Sequence, residues 1–215
     1  MFSGIVSHKA KVSKVQNFND FIRIHISTPK NFNKGLKKGA SISVNGVCLT
    51  SKDNGITNLK FDVIEETLLK TNLKNISKGD IVNLERSIKA SSEIGGHLMS
   101  GHIHFTGEVK KIFEKENTKD MKISISKNYS DYVLEKGYIG INGCSLTIGK
   151  VFKNQFNIHL IPETLKITNL DKLEEKDLVN IEIDDKTAIR MATPFAIWFL
   201  ITDCSDWYTL SEIST

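Results

Sequence analysis

The chain spells its most distinctive short strings twice, and always at the same separation. NGVCLT at Asn45–Thr50 returns 97 positions later as NGCSLT at Asn142–Thr147. EETLLKTNL at Glu65–Leu73 returns as PETLKITNL at Pro162–Leu170, and DIVNLE at Asp80–Glu85 returns as DLVNIE at Asp177–Glu182, both at the same offset. Ser3-Gly4 is matched by Ser100-Gly101. Four blocks in one register identify a tandem duplication, and a duplicated chain is constrained to fold as two like units. The stretch EIGGHLMSGHI at Glu93–Ile103 falls at the seam: its SGHI is the second copy of the N-terminal SGIV, so the glycine pair Gly95-Gly96 reads as the joint. The expected division is residues 1–96, 97–187 and a tail, 188–215.

Each half carries a strand signature. FIRIHIS (Phe21–Ser27) places Ile22, Ile24 and Ile26 on one face, and SISV, LKFDV, MKISIS, FNIHL and VNIEI keep the same two-residue period. Turn signals GA, NG, DNG and KGD separate them. Only ETLLKTNL and ETLKITNL read as short helices, each opened by an acid and a threonine. Several short strands in under 100 residues point to an all-β fold in which each half closes into a small antiparallel barrel, because closure removes exposed strand edges.

Composition excludes several classes of function. With 29 basic against 25 acidic residues, the surplus of four is scattered, and aromatics make up only 8%. No basic groove or stacking stripe is visible, so an oligonucleotide-binding barrel is disfavoured. Cys48, Cys144 and Cys204 are distant and odd in number, which suits a reducing cytoplasm better than a disulfide framework. The opening MFSGIVSHKAKV lacks the basic-then-apolar pattern of a secretory leader. The apolar run Phe195–Ile201 is far shorter than the roughly 20 residues needed to span a bilayer, so no membrane role is expected. His97, His102 and His104 could offer three imidazoles to zinc, but no cysteine or carboxylate stands at supporting spacing, and no metal is expected.

MFSGIV, NGVCLT, GGHLMSGHI, GINGCSLT and HLIPETL together resemble the riboflavin synthase family of the alpha-chain type, from Met1 to about Asp184. The resemblance implies two tandem six-stranded Greek-key barrels with short helices, followed by a C-terminal oligomerisation segment at 188–215 that gathers a homotrimer. It implies a small-molecule substrate, 6,7-dimethyl-8-ribityllumazine, two copies of which dismutate: one donates a four-carbon unit and leaves as a ribitylamino-pyrimidine, and the other becomes riboflavin. No cofactor or metal takes part in that family. Non-catalytic lumazine- or flavin-binding antenna proteins share the duplicated fold and form the alternative. They keep one cup and lose residues in the other, whereas both cups keep their motifs here.

What the halves share should bind, and what differs should do chemistry. On the resemblance, one group of binding candidates comprises Gly4, Ile5, Val6, Ser41, Cys48, Leu49 and Thr50, with Asp62, Val63, Ile64, Glu65, Glu66 and Thr67. The second-half group comprises Gly101, His102, Ile103, Lys136, Ser145, Leu146 and Thr147, with Leu160, Ile161, Pro162, Glu163, Thr164 and Leu165. Threonine hydroxyls and strand-end amides can meet ring carbonyls and nitrogens, and the glutamates can accept from ribityl hydroxyls. Among the differences, His102 replaces Ile5 and Ser145 replaces Cys48 at the common offset, while Lys136 stands opposite Gly39. The chemistry needs a proton taken from an activated ring methyl and a nucleophile added at ring carbon C7. Histidine exchanges protons near neutral pH, and thiol or hydroxyl groups supply or steady a nucleophile. His102, Cys48 and Ser145 are therefore catalytic candidates, and the resemblance adds Asp184, which matches a family carboxylate near the site. Two departures stand out: Asn142 occupies a position where family members carry aspartate, and the tail contains Pro194 with Arg190 as its only charge between Lys186 and Asp203.

Overall fold

The computed structural model describes residues 1–185 and 187, so the expected trimerisation segment at 188–215 lies outside the described residues. The first half contains β1 (His8–Asn17), β2 (Phe21–Ser27), β3 (Ser41–Val44), β4 (Val47–Asn54) and β5 (Asn58–Ile64). A six-residue helix α1 (Glu65–Lys70) and a 3-10 turn at Asn72–Asn75 lead to β6 (Ile81–Arg86). Antiparallel pairing in the order β1-β2-β5-β4-β3-β6 closes this half into a barrel. Ile24 and Ile26 turn fully inward, and Leu59, Phe61 and Val63 meet them from β5. Each such apolar side chain contributes about 1.5–3 kcal/mol on leaving water.

The second half repeats the path through β7 (Phe105–Glu114), β8 (Lys119–Ser124), β9 (Tyr138–Ile141), β10 (Cys144–Thr147), β11 (Val151–Phe152) and β12 (Gln155–Leu160). Helix α2 (Pro162–Ile167), a 3-10 turn at Asn169–Lys172 and β13 (Leu178–Ile183) complete it. The order is β10-β9-β13-β7-β8-β12-β11. Here β10 and β11 together occupy the place of β4. The strand is interrupted at Ile148-Gly149-Lys150, where Gly149 N donates to Asn157 O, so the ladder is an open seven-stranded sheet on the same strand path. Phe156, Ile158 and Leu160 fill its core as Leu59, Phe61 and Val63 fill the first.

The repeat extends to the backbone. Left-handed residues pair at the same offset: Gly4 with Gly101, Gly39 with Lys136, Asn45 with Asn142, Gly46 with Gly143, and Gly79 with Lys176. This fixes the alignment of Lys136 with Gly39, since Lys136 N bonds Ile148 O just as Gly39 N bonds Ser51 O.

Three asparagine pairs join the halves. Asn83 Nδ2 donates to Asn142 O at 2.9 Å, and Asn180 Nδ2 donates to Asn45 O at 2.8 Å. Asn83 Oδ1 accepts from Asn169 N at 2.6 Å, and Asn180 Oδ1 accepts from Asn72 N at 2.7 Å. Asn45 Oδ1 takes Asn169 Nδ2 while Asn142 Oδ1 takes Asn72 Nδ2, both at 3.1 Å. Between them Gly46 and Gly143 touch backbone to backbone: a Cβ on Gly46 would lie 2.8 Å from Gly143 N. Buried amides satisfied in one arrangement specify that arrangement, because any other leaves polar groups without partners.

Asn180→Ala strips partners from the Asn45 carbonyl and the Asn72 amide. It should lower the unfolding free energy by ~2–4 kcal/mol, read from urea denaturation, and Asn83→Ala should match it because the seam is symmetric. A pH effect is expected at His104, whose backbone N donates to Ile181 O at 2.9 Å and whose Nδ1 accepts from Ile183 N at 3.2 Å. Burial lowers its pKa below the ordinary 6.5, Asp185 opposes the shift and His102 adds to it. Because the folded value is depressed, this stabilisation is fully present above the unfolded value and is lost as pH falls through the folded one. The thermal midpoint should therefore decline from about pH 6.5 downward, and a His104→Leu chain should lose that part of the slope.

Candidate functional site: two exchanged cups

The chain passes from Met1 into the first barrel by way of the second. Phe2 bridges Met99, and Gly4 O accepts from Ser145 N at 2.8 Å. The second copy does the reverse: Gly101 O accepts from Cys48 N at 2.9 Å. Val6 accordingly lies in the second barrel's core, while its counterpart Ile103 packs against the first. Glycine is required at both crossings. Gly4 and Gly101 have φ of +73° and +82°, and a Cβ on either would lie within 2.6 Å of the Ser145 or Cys48 Cβ.

Two composite surfaces result. On the first, Cys48, Leu49 and Thr50 run along β4, and Ser41 on β3 stands opposite Thr50. Asp62, Val63 and Ile64 end β5 beside them, and Glu65, Glu66 and Thr67 open α1. Gly101, His102 and Ile103 complete it from the other half. On the second, Ser145, Leu146 and Thr147 of β10 stand with Leu160, Ile161, Pro162, Glu163, Thr164 and Leu165 at the β12–α2 junction. Gly4, Ile5 and Val6 complete that one. The structure thus brings the sequence candidates together in two places, each drawing on both halves, but Val6, Leu49, Val63, Leu146 and Leu160 are buried in the barrel cores and belong to neither open surface. Both surfaces are open, and their rims carry exposed apolar side chains: Ile5, Ile64, Leu69, Tyr138 and Ile161 are 47–74% exposed.

The polar side chains at the two surfaces differ. The partly buried Cys48 lies beside the loop bearing His102, whose side chain is exposed and whose N donates to Ser100 Oγ at 3.1 Å. At the second cup, His97 Nδ1 sits 2.6 Å from Ser145 Oγ, and its ring stacks on Tyr138 with centroids 5.4 Å apart. His97, Tyr138, Lys136 and Asp184 line one cavity of about 470 Å³. Asp184 is buried just past β13 and accepts from Thr187 Oγ1 at 3.4 Å.

The strand pair behind each cup carries opposite charge patterns. Arg23 on β2 grips Asp62 through Nε at 2.6 Å and Nη2 at 3.0 Å, with Lys52 also bonded to the carboxylate. The Arg23 hydrogen bond holds the Asp62 carboxyl below its ordinary range. At the equivalent place in the second half, Asp120 bonds His159 Nδ1 at 2.7 Å.

Sequence reasoning passed over His97 as a binding or catalytic candidate, since at the common offset it falls before Met1 and no first-half counterpart exists for comparison. It also assigned Gly95-Gly96 a joint's role alone. A Cβ on Gly96 would lie 2.3 Å from Ser3 O and 2.7 Å from Ser145 Cβ, so this segment threads directly over the second cup. The three histidines do not converge, and the described residues hold no group of three or more His, Cys, Asp or Glu side chains able to bind a metal. None of the helices among the described residues is long and apolar enough to cross a membrane.

Comparison with known proteins agrees with the duplicated fold. The family described as "Lumazine binding domain" matches residues 3–87 and again 100–184. The riboflavin synthase of Escherichia coli (strain K12) is 45% identical over 188 residues, covering 87% of this chain and 88% of that protein. The riboflavin synthase of Chlamydia pneumoniae is 42% identical over 193 residues, covering 90% and 94%. Among solved structures, LumP complexed with riboflavin superposes with a TM-score of 0.80 at 30% identity, covering 85% of this chain and all but 1% of that one (99%). LumP complexed with 6,7-dimethyl-8-(1'-D-ribityl) lumazine gives 0.78 at 29%, with the same coverage. The chain belongs to the lumazine-binding domain family, carries that domain twice in tandem, and has riboflavin synthases as its curated relatives.

Proposed function

We propose that the chain is a riboflavin synthase that dismutates two molecules of 6,7-dimethyl-8-ribityllumazine into riboflavin and 5-amino-6-(D-ribitylamino)uracil. The observation that carries this is a pair of cups with one backbone frame and different reactive side chains, Cys48 with the His102 loop and Ser145 with His97. A reaction that consumes two copies of one molecule in different roles calls for that combination: like frames to hold like rings, unlike groups to make one a donor and the other an acceptor. The reaction balances with no oxidant, reductant or net water, in keeping with a site that needs no cofactor.

The geometry supports the following roles. Ring carbonyls and nitrogens meet the strand-edge amides and hydroxyls of Thr50 and Thr147, and Glu66 and Glu163 accept from ribityl hydroxyls. The 2.6 Å contact lets His97 take the Ser145 proton, so that the hydroxyl can add at C7 of its ring or steady a hydroxide that does. His102 removes the proton from the activated 7-methyl group, and Asp184 with Lys136 balances charge from the neighbouring cavity wall. Holding two dilute rings in register removes a translational barrier that amounts to several kcal/mol. The exposed Ile5, Ile64, Leu69 and Ile161 support closure of the cups by other chains, in a homotrimer that brings the first cup of one subunit against the second cup of the next. The free Cys48 and buried Cys144 suit a cytoplasmic protein.

The likeness to LumP supports one other reading, a binding protein without turnover. Incubation with the lumazine separates them: the synthase produces riboflavin fluorescence and the binding protein only a spectral shift. His102→Ala and Cys48→Ala should lower kcat by ~10²-fold or more while changing substrate affinity by less than about threefold. Full activity in both variants would contradict these roles.

A further inference from the structure

Each half carries, one residue before the end of its last strand, a buried carboxylate that ordinary barrel packing does not call for. Glu85 on β6 is 6% exposed and Glu182 on β13 is 3% exposed. Glu182 Oε1 accepts from Ser100 N at 2.6 Å and Ser100 Oγ at 2.8 Å, and Oε2 accepts from Gly101 N at 3.1 Å. Glu85 takes the same three donors one repeat earlier: Ser3 N at 2.7 Å, Ser3 Oγ at 2.8 Å and Gly4 N at 3.1 Å. Removing a carboxylate from water is unfavourable unless hydrogen bonds replace that water. Burial pushes both carboxyls up, and the serine and glycine donors pull them back toward the charged form.

The donors sit on the exchanged loops. Gly101 O receives Cys48 N in the first barrel, and Gly4 O receives Ser145 N in the second. Ser100 Oγ also accepts from the N–H of His102. A carboxylate on one barrel's final strand is therefore linked, through two residues of loop, to the floor of the other barrel's cup. We propose that Glu85 and Glu182 are positioning residues acting crosswise: Glu182, built into the second barrel, sets the first cup, and Glu85, built into the first barrel, sets the second. Three converging N–H and O–H donors need a group that only accepts, and glutamine of the same shape would turn an NH2 toward one of them. This inference rests on reading the two surfaces as lumazine cups.

The crosswise direction is what separates positioning from plain stabilisation, since a merely structural carboxylate would harm the barrel that carries it. The test uses the full chain with isotope-labelled isoleucine methyls, where Ile64 reports the first cup and Ile161 the second. The probe is 8-ribityllumazine lacking the 6- and 7-methyl groups, which cannot donate carbon. Glu182→Gln should weaken binding about tenfold at Ile64 and less than twofold at Ile161, and Glu85→Gln should do the reverse. If either glutamine variant fails to fold, Ser100→Ala and Ser3→Ala remove one bond from each clamp and should give the same crossed pattern at about threefold. Losses confined to the mutated barrel's own cup, or equal at both, overturn the proposal while leaving the cups intact. A wild-type chain with no saturable shift at either methyl overturns the cup assignment itself, and the clamp with it.

Discussion

Two backbone hydrogen bonds, Cys48 N to Gly101 O and Ser145 N to Gly4 O, decide what kind of molecule this duplication makes. Each crosses from one half to the other, at Cys48 on β4 and at Ser145 on β10. Had each copy kept its own N-terminal loop, the chain would be two separate barrels on a string. The crossing instead makes each half incomplete alone, with Val6 in one core and Ile103 against the other. Glycine is the enabling residue, since any Cβ at Gly4 or Gly101 would collide with the partner strand.

The asparagine seam sustains that exchange. Loop crossings of this kind tolerate little sliding, because both bonds must form together. Six amide side chains in three equivalent pairs fix the two halves in one relation, and the contact of Gly46 with Gly143 brings the frames close enough for the amides to reach. A buried polar network has more directional content than an apolar interface of equal size, which suits a joint whose register matters more than its strength.

Much of this was written in local strings. Three of the four repeated blocks carry one member of an asparagine pair, in NG, TNL and VN, and the blocks NGVCLT and NGCSLT hold the strand segments that bear Cys48 and Ser145. Strand alternation in FIRIHIS and the short ETL helices are likewise properties of neighbouring residues. The exchange was not legible, because it relates Gly4 to Ser145 and Gly101 to Cys48 across distances that no periodicity records. The contact of His97 with Ser145 escaped for another reason: comparing the copies finds what is repeated or replaced, and no residue of the first copy aligns with His97. The interruption of β4's counterpart falls at Gly149, where the first half carries Lys52 and runs through as one bulged strand.

The central claim is that each cup is built from both halves and receives one lumazine ring. A crystal structure with an unreactive lumazine bound tests it most directly. The account predicts one ring between β4–β5 and the Gly101–Ile103 loop, and another between β10–β12 and the Gly4–Val6 loop. Rings that touch residues of only one half, or a single ring per chain lodged at the asparagine seam, would contradict it.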